Sequence, residues 1–184
     1  MKIAIFILCL FEVGCSMAQS ATPSKSKYDP ESAKIANMRR IGYLFLRDSL
    51  RPSDDEITFA CMDSILSTHK GTRDYFFPVF EKIAMHADGA LAEVIGSYAL
   101  TYVKKYPQEF SARYSCCRKD EPCCQKLIRL ATILGEETMM DNYKTKAYNE
   151  LINDLTLNYK NWRKERVLSL LMRTVDATRK NWKD

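Results

Sequence analysis

Four sulfurs in nine residues are the densest chemistry in the chain: Cys116-Cys117, then Arg118-Lys119-Asp120-Glu121-Pro122, then Cys123-Cys124. Clustered thiolates can bind Zn²⁺ or Cu⁺, exchange disulfides, or simply cross-link. Metal sites usually place two to four residues between ligands rather than adjacent pairs five apart, so no metal or other cofactor is expected. A redox centre of the Cys-x-x-Cys type on a strand-to-helix turn is also missing. Cross-linking is left, and because a disulfide between neighbouring residues is strained, two pairings remain open. They are Cys116–Cys124 with Cys117–Cys123, or Cys116–Cys123 with Cys117–Cys124. A third arrangement sends one of these sulfurs to Cys61, which otherwise reads as a buried free thiol because it sits on an apolar stripe.

The two histidines, His69 and His86, are the remaining general acid/base candidates. Each falls near a helix end, where an imidazolium interacts favourably with the negative helix terminus. His-Glu-x-x-His, Gly-x-Ser-x-Gly, phosphate-binding glycine loops and calcium loops are all absent from the sequence. No catalytic residue is therefore expected. A helical envelope hydrolase built on His69 or His86 with a carboxylate is the enzyme alternative.

Charge supplies the third constellation. From Lys160 to Asp184 eight basic residues face three acidic ones, a net +5 equal to that of the whole chain. Arg173, Arg179, Lys180 and Trp182 form the expected partner-binding face, suited to an acidic protein, an anionic lipid surface or another polyanion.

The cysteine chemistry depends on compartment. Lys2, the apolar run Ile3 to Phe11 and Ser16-Met17-Ala18 have the order of a secretory signal, giving a cleaved segment 1–18. The alternative is a lipid anchor on Cys15, since Gly14-Cys15-Ser16 resembles the end of a lipobox, although Glu12 stands where an apolar residue is usual. An exported protein, periplasmic or secreted, holds its cysteines as disulfides by default and does not meet nucleic acid.

The elements that must carry these residues are helical. With 46% hydrophobic and 28% charged residues and only six Gly and six Pro in 184, the composition suits a globular all-α domain. Residues 19–32 are polar and aperiodic, a leader to a domain at 33–184. Ile35, Met38, Ile41 and Phe45 share a helical face, with the helix ending near Pro52. Ser53 with Glu56 reads as a capping box opening a second helix with Ile57, Cys61 and Ile65 inward, ended by Gly71. A third begins between Asp74 and Pro78 and buries Phe76, Val79, Phe80 and Ile83.

Asp88 caps a fourth helix carrying Leu91, Ile95, Tyr98 and Tyr102. Phe110, Tyr114 and Cys117 lead into the joint. Asp120 and Pro122 open the next helix, with Leu127, Ala131 and Leu134 inward and a close or bend at Gly135. Downstream, one continuous helix would put Arg166 and Arg173 on the same face as Tyr148, Ile152 and Leu155. A turn between Asn158 and Arg163, with Asn161 as a cap, restores a single apolar side.

The expectation is seven or eight short antiparallel helices, an irregular bundle or a short stack resembling HEAT and armadillo repeats in pattern alone, stapled by disulfides. Its function is expected to be non-catalytic protein binding, as an inhibitor, an immunity-like protein or an accessory envelope subunit. Carriage of a small apolar ligand between aromatic-rich helices is a further alternative.

Overall fold

The computed structural model describes residues 30–117, 121–140 and 145–181, and among them the chain is all-helical. Eight α-helices run in order: α1 Pro30–Leu46, α2 Glu56–Asp63, α3 Lys70–His86, α4 Gly89–Lys105, α5 Pro107–Tyr114, α6 Pro122–Met140, α7 Lys146–Asn158 and α8 Arg166–Asn181. Single 3-10 turns follow α2 and α7. The proposed signal 1–18, Asp120 and Trp182 lie outside the described residues. The helical region starts at Pro30, inside the stretch expected to be a polar leader.

Apolar phase places most of the core as the spacing predicts, although Ile35, expected on the inward face of α1, is exposed. Phe45, Phe76, Val79, Phe80, Ile83, Leu91, Ile95, Tyr102, Phe110, Tyr114, Leu127, Ala131, Leu134 and Leu155 are all buried. Phe77 ties three helices together, its ring centroid 4.8 Å from Tyr102 of α4, 6.3 Å from Phe110 and 6.2 Å from Tyr114 of α5. The most extensive helix pairing is α6 with α8, followed by α4 with α6 and α1 with α3.

The helix ends differ from expectation in several places. Helix α1 stops at Leu46, where Asp48 adopts the left-handed conformation at φ 56°. Asp48 N–H donates to Phe45 O and Ser49 N–H to Leu44 O, the paired bonds of a Schellman cap in a place usually held by glycine. Asp55, not Ser53, caps α2: its carboxylate accepts the Thr58 N–H at 2.7 Å, and Ser53 donates its hydroxyl to that same carboxylate. Cys61 and Ile65 are buried as expected, but in the first turn Thr58 is the buried residue and Ile57 is exposed.

Gly71 closes nothing, because α3 begins at Lys70 and Pro78 lies in its interior. An interior proline costs about 3 kcal/mol through a lost hydrogen bond and ring clash. Burial of Phe76, Phe77 and Phe80 contributes roughly 1.5–3 kcal/mol each, which outweighs it. Gly135 neither ends nor closes α6, which continues to Met140. The turn between α7 and α8 falls where Arg166 and Arg173 require it, but Glu165 rather than Asn161 caps α8, its carboxylate accepting the Leu168 N–H at 2.8 Å.

Candidate functional site

Helix α8 has the sharpest division between faces. Val167, Leu168, Leu171, Met172 and Val175 are buried, while Arg166, Arg173 and Lys180 are exposed. Seven-residue spacing brings these cations back to one side, roughly 10.5 Å apart along the axis. The Glu165 carboxylate is engaged at the cap, and Asp176 accepts the Tyr148 hydroxyl at 2.6 Å. Burial, then the bond to Asp176, raises the pKa of Tyr148.

Not all the expected binding residues share that surface. Arg173 and Lys180 are exposed on it, but Arg179 turns inward, its guanidinium 3.9 Å from the centre of the Tyr148 ring. Arg179 therefore joins α8 to α7, and Arg166, outside the expected set, is an exposed cation on the Arg173 side. Its guanidinium donates to the Cys117 carbonyl, so the basic helix touches the cysteine joint.

At the joint one disulfide closes, Cys117–Cys123, with Cα atoms 5.6 Å apart. It belongs to the first of the two pairings considered. Cys116 is exposed and Cys124 is buried, both as free thiols; within α6, Cys123 and Cys124 point about 100° apart, so only one of them faces across the joint. Cys61 is a buried free thiol in α2, its pKa pushed up to about 12 by burial and then by the Asp55 charge. The staple is thus local.

Glu81 of α3 braces the same joint. It accepts the Tyr114 hydroxyl at 2.5 Å from α5 and pairs with Lys126 of α6 at 3.1 Å. Burial first, and the Glu81 charge second, raise the pKa of Tyr114.

The histidines are exposed and line separate grooves. His69 stands at the N-terminal end of α3, not at the C-terminal end of α2, with Thr72 Oγ1 3.4 Å from its Nδ1. It borders a groove of about 690 Å³ between α1 and the α2–α3 segment, alongside Asp63 and Phe76. His86 borders another of about 460 Å³ with Asp48, Lys82 and Asp88. Lys82 already holds Asp48 at 2.7 Å, and that hydrogen bond lowers the Asp48 pKa. Among the described residues no group of three or more His, Cys, Asp and Glu could hold a metal ion, and no helix is long and apolar enough to cross a membrane.

One internal ion pair, Arg73 with Glu109, was not expected from the sequence. Arg73, 5% exposed, grips Glu109 with Nε at 3.0 Å and Nη2 at 2.5 Å. Its Nη1 donates to Ser67 O at 2.7 Å and Thr68 O at 2.8 Å, and the guanidinium stacks 3.9 Å from the Tyr106 ring centre. The available signal was an arginine in helical phase with Phe76, Phe77 and Phe80, where a charge demands a partner. With its donors satisfied inside the fold, this pair fixes α5 against α3. Neither family models nor curated proteins nor solved structures give a match to this chain.

Proposed function

We propose that the chain is an exported, non-catalytic helical binding protein whose partner is an acidic surface of another protein, read by the Arg166–Arg173–Lys180 face of α8. The observation that carries this reading is the exposure of Arg173 and Lys180 on α8, with the nearby carboxylates of Glu165 and Asp176 each held in a hydrogen bond to another group. Such a face attracts an acidic partner over about a Debye length and mainly accelerates encounter. Val167, Leu168, Leu171, Met172 and Val175 seat α8 in the core, which gives the cations a rigid platform at low entropic cost.

In this reading the helices form an irregular bundle of antiparallel pairs, and the Cys117–Cys123 bond sets the angle at which α5 meets α6 below the basic face. An inhibitor, immunity-like or accessory envelope role fits a rigid protein that presents one charged face. Export by the segment 1–18 is part of the same proposal. Affinity capture from the native envelope, with the Arg173→Glu, Lys180→Glu double variant as matched bait, tests it. A partner retained equally by both baits would overturn the assignment of this face.

A further inference from the structure

A second surface, at the turn from α7 to α8, has a different composition from the basic face. Among the described residues Leu157, 78% exposed, is the most exposed of the large hydrophobic side chains. Lys160, Arg163 and Lys164 follow within seven residues and are exposed as well. From Leu157 to Lys164 there is no acidic residue. The flanking carboxylates are committed, Asp154 to Lys104 at 3.0 Å and Glu165 to the α8 cap.

The turn is also held in shape. Tyr159 N–H donates to Leu155 O, Trp162 N–H to Tyr159 O and Lys164 N–H to Asn161 O. Trp162 is buried, donating its indole N–H to Thr156 Oγ1 at 3.2 Å, and Asn158 donates its side-chain amide to Lys104 O at 2.9 Å. Arg163 lies over the outer side of that indole, 4.7 Å from its centre. Leu157 and the three cations therefore project from a fixed base, and little ordering entropy is lost when a surface meets them.

We infer that this turn is a peripheral contact for an anionic lipid bilayer, with Leu157 entering the headgroup–acyl boundary and Lys160, Arg163 and Lys164 against lipid phosphates. An exposed aliphatic side chain followed within seven residues by three exposed cations matches a soft apolar boundary under a negative surface. An acidic protein would use the cations and leave Leu157 in water. Each cation near such a surface contributes about a fivefold gain in affinity. Insertion of the leucine contributes about tenfold.

The test uses the protein in the form that accumulates in its own cells, with Trp182→Phe leaving Trp162 as sole indole reporter. Vesicles contain one part phosphatidylglycerol to two parts phosphatidylcholine, with brominated acyl chains as quencher. The expected result is Trp162 quenching on the anionic vesicles and none on pure phosphatidylcholine. Lys160→Glu, Arg163→Glu, Lys164→Glu together should weaken binding by about a hundredfold or more, Leu157→Asn by about tenfold, and Arg173→Glu, Lys180→Glu should leave the quenching in place. All these positions are exposed, and unchanged helical circular dichroism confirms that each variant folds. Absent quenching, equal quenching on neutral vesicles, or a Leu157→Asn variant that binds as wild type while soluble polyglutamate competes would each overturn the inference, the last by marking a polyanion site. The residues differ from those of the α8 face, so either proposal can fail alone.

Discussion

Gly135 of α6 approaches Thr178 of α8 so closely that a Cβ at position 135 would stand 2.6 Å from the Thr178 Cβ and 2.9 Å from its Cγ2. The glycine exists to let the two most extensively paired helices meet. Gly135→Ala gains roughly 1 kcal/mol of helix propensity but forces α8 outward, an overpacking cost of about 1–3 kcal/mol. The expected outcome is a net loss of about 1 kcal/mol, read by urea denaturation with an unchanged m-value. Because α8 presents the basic face, partner affinity should fall with it.

Arg73 and Glu109 predict an acid-sensitive fold. The Arg73 hydrogen bonds hold the Glu109 carboxyl below its ordinary value, overcoming burial, which acts the other way. A carboxyl depressed in the folded state stabilises fully above its unfolded pKa, near 4.3, and that contribution disappears as pH falls through the folded value. Glu109→Gln should cost about 3 kcal/mol at neutral pH, since a buried guanidinium loses its counter-charge. The variant should also lose less stability than wild type between about pH 5 and pH 3. Thermal midpoints measured across that range check both statements; parallel curves would contradict them.

The cysteines predict a pattern of alkylation. In the native protein Cys116 should react readily with a maleimide, whereas the buried Cys61 and Cys124 should react only after unfolding. The Cys117–Cys123 bond spans six positions, so the entropy model assigns it about 2 kcal/mol. Since Glu81 also joins α5 and α6 through Tyr114 and Lys126, the Cys117→Ser, Cys123→Ser variant should remain folded and lose about that amount. Peptide mapping by mass spectrometry and a denaturation curve report the two results.

What could be read in advance was whatever depended on phase. Phe76, Phe80 and Ile83 repeat at helical spacing and are buried, and Pro122 stands at the first residue of a helix. The turn before α8 was legible because Arg166 and Arg173 have no place in a core. Local signals that compete were not legible. Ser53 and Asp55 are both good caps, and the Thr58 N–H goes to Asp55. Pro78 resembles a helix start, yet the aromatic cluster around Phe77 holds it inside α3. Gly135 reads as a helix end until Thr178, 43 residues away in sequence, is brought against it. Arg179 reads as one more surface cation until Tyr148 is brought beneath it.

The claim that Arg173 and Lys180 meet an acidic protein partner is most directly tested by the partner's association rate, measured by surface plasmon resonance across ionic strength. The account predicts that wild type associates fast at low salt and slows steeply as salt rises, and that Arg173→Glu with Lys180→Glu cuts the low-salt rate by about tenfold or more while flattening the salt dependence. Identical rates and identical salt slopes for the two proteins would contradict it.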